Sequence, residues 1–340
     1  MVTAAMAGKP QWYSSASAFA ILWQIQQNPK MTHRFPSLSV ACLILAALAS
    51  GRPAWGQAER LPAKAEVDAQ HVWRRALAAL DQHASVQCKL YQEVQMYDQH
   101  LLGHGAYLQG PPGYFWSSLE LALKTGGEHD AIVKQRCDGN RLWIFRSMDG
   151  LPRLSCVDVK RVLAAARAEG RERTAVPALG IGGLPKLFDA VEKGFRFTDV
   201  RQQQLEKKPV FVLRAEWKPD RLLRWLPEQK EAIESGGKLD LSKLPPPVPD
   251  HLLIYLGATD LFPRRIEYRR ASANVQNPNK EILLLLSFSN IAFDRPVDRR
   301  SFVFEPGPMP MADETDSYIR NLGLTPVPEA AAASAAGPTR

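Results

Sequence analysis

The chain has few cysteines, no long apolar run and little excess of charge, and each shortage narrows what it can be. Four cysteines in 340 residues are too few for a disulfide-stapled scaffold, and none has the spacing of a zinc site. Cys88, Cys137 and Cys156 follow residue 56; three permit one disulfide and one buried thiol in an oxidising compartment, and the sequence does not choose the pair. The longest uncharged apolar run, Leu38 to Ala49, falls short of the roughly 20 residues a spanning helix needs. Basic residues number 43 against 35 acidic; residues 1–56 hold four basic ones (Lys9, Lys30, Arg34, Arg52) and no acidic one, which leaves 39 against 35 beyond them. That small excess speaks against a nucleic-acid partner.

Catalytic signatures are missing too. Neither Gly-x-Ser-x-Gly nor His-Glu-x-x-His occurs. Ser235-Gly-Gly-Lys238, Ser272-Ala-Asn274 and Lys124-Thr-Gly126 spell the three motifs of penicillin-binding serine acyl-transferases, but in the wrong order and without serine and lysine on one helical turn. Gly180-Ile-Gly-Gly183 follows no convincing strand of a βαβ unit, as a dinucleotide loop must. His100 and His104, with Asp98 and His129, could be pictured as metal ligands, but the first two flank an expected hairpin turn and share no helix face that could grip a metal. No enzyme, cofactor or metal is expected.

What is present begins with an export signal. His33 and Arg34, the apolar run and the small residues Ala54 and Gly56 make the three parts of a cleavable signal peptide. The expectation is a natural start at Met31, residues 1–30 as a mis-called leader, cleavage after Gly56 and a periplasmic protein. Cys42 sits inside the apolar run rather than at the cleavage point, so no acyl anchor is expected.

Beyond it the pattern is mostly strand. Val67 to Ala84 has an apolar stripe at Val72, Ala76, Leu77 and Leu80, the mark of a covering helix. Val86, Cys88, Leu90, Val94 and Met96 alternate with Gln87, Lys89, Glu93 and Gln95, the period of a half-buried strand. His100 to Gly105 reads as its turn. The return strand begins at Ala106 and breaks at Gly110-Pro-Pro-Gly113, which marks a bulge or an edge. Asp138-Gly139-Asn140 suits a tight hairpin turn between 131–137 and 142–146. Helices over 159–169, 185–192 and 220–235, a hairpin at 195–217, a Pro-rich surface insertion at 236–250, strands at 251–256, 264–270 and 281–293, and a disordered tail from Pro326 complete the chain. In Ile282 to Leu286 both alternating sets are apolar, so this strand should be covered on both faces.

Asp138-Gly139 with Leu142-Trp143, and the stretch from Phe293 through Phe302-Val-Phe304 to Pro306, resemble in order and spacing the periplasmic lipoprotein carriers of the LolA-like family. The resemblance covers about Val67 to Pro310. It implies an α+β fold: one large curved antiparallel sheet, an incomplete β-barrel, with helices covering its open face, in a single domain over 62–310. The arginine that closes the lid in such carriers has no counterpart in Gly110 to Gly113, and the 236–250 insertion is longer than the family pattern.

The function the resemblance implies is shielding of an acyl chain or lipoprotein lipid by a monomer that touches membranes only peripherally. Its cavity wall candidates are Phe115, Leu119, Trp143, Phe145, Leu284, Leu286 and Phe288, with a filled core as the alternative. Arg264, Arg265, Arg269 and Arg270 are candidates for a rim that holds phosphate head groups, since guanidinium binds phosphate in a bidentate fork; solvated strand faces explain them as well. The alternative function is an envelope protein-protein interaction module on the same scaffold.

Overall fold

In the computed structural model the described residues are 68–96, 99–111, 116–125, 130–148, 150–169, 183–246, 248–270, 282–322 and 324–328. The expected signal peptide and leader, Asp98, Phe115 and His129 lie outside them. Twelve strands form one sheet in the order β12-β6-β5-β4-β3-β2-β1-β11-β10-β9-β8-β7. The first meander is β1 (Val86–Met96), β2 (Gln99–Gln109), β3 (Trp116–Thr125), β4 (Asp130–Asp138), β5 (Arg141–Met148) and β6 (Leu151–Asp158); the second is β7 (Phe195–Leu205), β8 (Lys208–Trp217), β9 (His251–Gly257), β10 (Pro263–Arg269) and β11 (Ile282–Phe293). Antiparallel pairing of β1 with β11 joins them. The three-residue β12 (Met311–Asp313) adds in parallel to β6. The sheet is open, with β7 and β12 at its edges, so the expected incomplete antiparallel barrel is what forms.

Alternation assigns the faces. Val86, Cys88, Leu90, Gln92 and Val94 are buried while Lys89 and Gln95 are exposed, and strand register carries this inner face across the sheet. Helices pack over it at both flanks. At one flank are α1 (Ala69–Gln82) and α3 (Gly183–Gly194), beside β7 and β8. Asp68 caps α1 by accepting from Gln70 N at 3.0 Å, and Val72, Trp73, Ala76 and Leu80 make its buried stripe. At the other flank are α2 (Val159–Ala168) and α6 (Thr315–Asn321), beside β5 and β6. Two short helices, α4 (Pro219–Leu222) and α5 (Lys230–Ser235), lie between β8 and β9.

The large apolar cluster joins the inner residues of β1–β4 and β7–β11 to α1, α3 and the 222–248 segment; a smaller one joins Cys137, Leu142, Ile144 and Val157 to α2, Ile319, Leu322 and Leu324. The core thus runs past residue 310, and Val327 packs against the smaller cluster, although the tail from Pro326 was expected to contribute nothing.

Four local expectations are corrected. His100 to Gly105 is strand, not turn. Gly105 is there because a Cβ would fall 1.6 Å from the backbone oxygen of Glu120, a close approach that only glycine allows. Gly110 and Pro111 follow β2 rather than interrupting a strand, and Gly110 N donates to Trp116 O at 2.9 Å to start the antiparallel β3. The Pro-rich insertion is partly core: Leu244 and Val248 are 2% and 1% exposed, and Arg270 donates to the carbonyls of Ser242, Leu244 and Pro245 at 2.6–3.0 Å. Finally, 302–304, which the family resemblance implies to be a closing strand, is no strand of the sheet. Arg299–Phe302 is a short 3-10 turn, and the segment crosses the outer face, with Phe302 against Trp116 and Phe304 stacked on Phe145 at 5.9 Å between centroids.

Candidate functional site: the apolar inner face

Seven strands place one residue each in a continuous row on the inner face. From the β7 edge it reads Val200, Leu213, Ile254, Ile266, Leu286, Gln92 and Gly103. A second row, one pleat along, reads Phe197, Ala215, Leu252, Tyr268, Leu284, Val94 and Leu101. Antiparallel neighbours at this spacing touch side by side, so the two rows make a band of aliphatic and aromatic surface from β7 across to β2. Gln92 is its one polar amide. It is 1% exposed, and its Oε1 is buried without a hydrogen-bond partner.

The wall candidates divide between the faces. Leu119, Leu284, Leu286 and Phe288 all belong to the large inner cluster. Trp143 and Phe145 share a strand with Leu142 and Ile144 but have the opposite parity, which puts them on the outer face, where Phe304 stacks on Phe145. Arg136 fixes that segment by donating from Nη1 to Val303 O at 3.0 Å. Phe115 lies outside the described residues. Leu283, of the outer parity, is 6% exposed yet is in neither inner cluster, in keeping with the expected cover on both faces of β11.

The arginine candidates are placed by carboxylates and carbonyls of the chain itself. Arg269 Nε donates to Glu267 Oε2 at 2.7 Å and Arg265 Nη1 is 3.7 Å from Glu267 Oε1, both on the outer face. Arg264 pairs with Asp260 at the β9–β10 hairpin, and Arg270 holds the insertion. The structure brings Arg265 and Arg269 onto one carboxylate and engages the other two elsewhere.

Inner polar chemistry is sparse. Tyr107 Oη donates to Gln109 Oε1 and accepts from Leu184 N, both at 2.9 Å, which docks the start of α3 on β2. Burial raises its phenol well above the ordinary tyrosine range and pushes the Cys88 and Cys137 thiols up to about 12, so all three stay protonated at neutral pH. The three described cysteines are free thiols: the disulfide left open by the sequence is not formed. His100 and His104 are on the outer face of β2, where His100 Nε2 meets Glu93 Oε1 at 2.9 Å. Among the described residues no group of three His, Cys, Asp or Glu side chains could hold a metal, and no helix is long and apolar enough to cross a membrane.

Sequence reasoning missed Gln92. The signal was available: it stands in phase with Val86, Cys88, Leu90 and Val94, where an apolar residue belongs.

No protein-family profile matches the sequence, and no curated protein matches it. Among solved structures, the chain is similar to the Mycobacterium tuberculosis lipoprotein LppX (8% identity, TM-score 0.34, 68% of this chain and 97% of that one). It is also similar to LprF from Mycobacterium bovis (11% identity, TM-score 0.33, 68% and 94%). A third is a Vibrio parahaemolyticus domain described as an outer membrane lipoprotein-sorting protein (7% identity, TM-score 0.27, 69% and 97%). Likeness at this level assigns no function.

Proposed function

We propose that this protein is a non-enzymatic carrier of the bacterial periplasm that holds an acyl chain, free or on a lipoprotein, against the inner face of its sheet. The observation that carries the reading is the continuous apolar band from β7 to β2, which crosses the β1–β11 junction of the two meanders and lies in one cluster with α1 and α3. Leu119, Leu284, Leu286 and Phe288 are its wall, and the 222–248 segment, with Leu226, Leu244 and Val248 packed into the same cluster, is the cover that must yield to a ligand. Burial contributes about 0.8 kcal/mol per CH₂. A chain of fourteen carbons therefore gains on the order of 10 kcal/mol before the entropic cost of association, enough for reversible binding without covalent chemistry. The arginines of 264–270 remain candidates for head-group contact only where a guanidinium can exchange its present partner for phosphate. The export signal read at 31–56 fits the same assignment.

Native mass spectrometry of the protein purified from an exporting host, with organic extraction of bound material, tests the reading. A stoichiometric lipid or acylated peptide is the expected result. A clean apo mass, unchanged after incubation with phospholipid or acylated peptide, would overturn it.

A further inference from the structure

The row through Gln92 contains a contradiction that a ligand resolves. Its neighbours across the strands are Leu286 on β11 and Gly103 on β2, and its neighbours along β1 on the same face are Leu90 and Val94, 2% and 5% exposed. None of these side chains carries a hydrogen-bonding group. The amide oxygen is buried and its lone pairs meet no donor. An unsatisfied buried acceptor is destabilising, and an aliphatic residue of the same size would remove the penalty. The strand offers no structural reason for the glutamine: the apolar phase of β1 is otherwise unbroken from Val86 to Val94.

We infer that Gln92 is the specificity contact of the band and accepts a hydrogen bond from an O–H or N–H carried by the bound chain. The inference rests on the carrier reading and sharpens it. The preferred ligand is an acyl chain with an amide link or a hydroxyl group, because an ester of the same shape carries acceptors only and leaves the Gln92 oxygen unpaired. A site built to bond such a group discriminates against the analogue that lacks it more strongly than an apolar pocket discriminates by size.

The test uses the full exported chain and two probes of nearly equal shape, N-methyltetradecanamide and methyl tetradecanoate, each displacing a fluorescent fatty-acid analogue. The amide is expected to bind roughly threefold to tenfold more tightly than the ester, the range that one net hydrogen bond supplies. In Gln92→Leu the two are expected to bind equally, while the ester loses nothing. Equal affinities in the unmodified protein, or a preference that survives Gln92→Leu, would overturn the inference and leave the carrier reading standing. If neither probe nor the fluorescent analogue binds the unmodified protein, the carrier reading falls, and the inference with it.

Discussion

The Tyr107 hydroxyl accepts a hydrogen bond from the backbone N–H of Leu184 at 2.9 Å and so ties the first turn of α3 to the middle of the first meander. Gly183 makes the approach possible: its φ is +57°, and a Cβ there would sit 2.0 Å from the Tyr107 oxygen. Tyr107→Phe leaves both Leu184 N and Gln109 Oε1 without this partner, at an expected cost of about 1–3 kcal/mol. Hydrogen exchange checks it. The amide of Leu184 should lose protection while those in β4 and β5 keep theirs; unchanged exchange at Leu184 would show that helix packing alone docks α3.

Glu267 is 2% exposed on the outer face, with Arg265 and Arg269 on either side and the Tyr255 hydroxyl 3.4 Å away. Removing one partner of a buried charge cluster strands the others. Glu267→Ala is expected to lower unfolding stability by about 3 kcal/mol or somewhat less, since the two arginine side chains keep 28% and 27% of their surface in water. Urea denaturation reads the difference directly, and a change within about 0.5 kcal/mol, typical of an ordinary surface site, would count against the cluster as a structural element.

Acid should destabilise the protein through particular carboxylates. Hydrogen bonding from His83 holds Asp294 below its ordinary value of 3.8, and bonding from Ser242 and Thr315 does the same for Asp240 and Asp313. Burial raises Glu93, but the bonds it accepts from His100, Tyr91 and Gln95 outweigh burial and leave it below its ordinary 4.5. Because these groups are depressed in the folded state, the unfolded chain takes up protons first as pH falls. Their contribution is whole above the ordinary carboxylate values and is lost as pH drops through the folded ones. Unfolding free energy followed from pH 7 to about pH 2.5 should fall once the pH passes the ordinary carboxylate range of about 4, and Asp294→Asn should flatten that fall.

The alternation in β1 and the doubly apolar β11 were legible in the sequence, because hydrophobic period reports burial directly. What surrounds a residue was less legible. Trp143 and Phe145 are as apolar as Leu284, yet a one-residue offset puts them on the outer face, and Phe145 is covered there by Phe304, far along the chain. Gly103 and Gly105 looked like a turn because glycine usually marks one; the cause here is a neighbouring backbone that leaves Gly105 no room for a Cβ. Leu244 and Val248 sit among prolines that suggest solvent, and their burial is decided by Arg270 gathering three carbonyls. The short β12 and α6 carry too little pattern for recognition. Pairing with β6 and packing of Ile319 against α2 define them.

The union of β1 with β11 sets an order in time as well as in space. Each meander can zip from its own hairpins, but the seam between them joins residues such as Ala84 and Asp294, 210 positions apart, and loop closure over that distance makes it a slow, late event. A chain emerging N-terminus first therefore holds β1 with one side bare until nearly all of the second meander has followed. Gln92 and Leu286 face each other across this seam, so the row that holds them is the last part of the inner face to be completed.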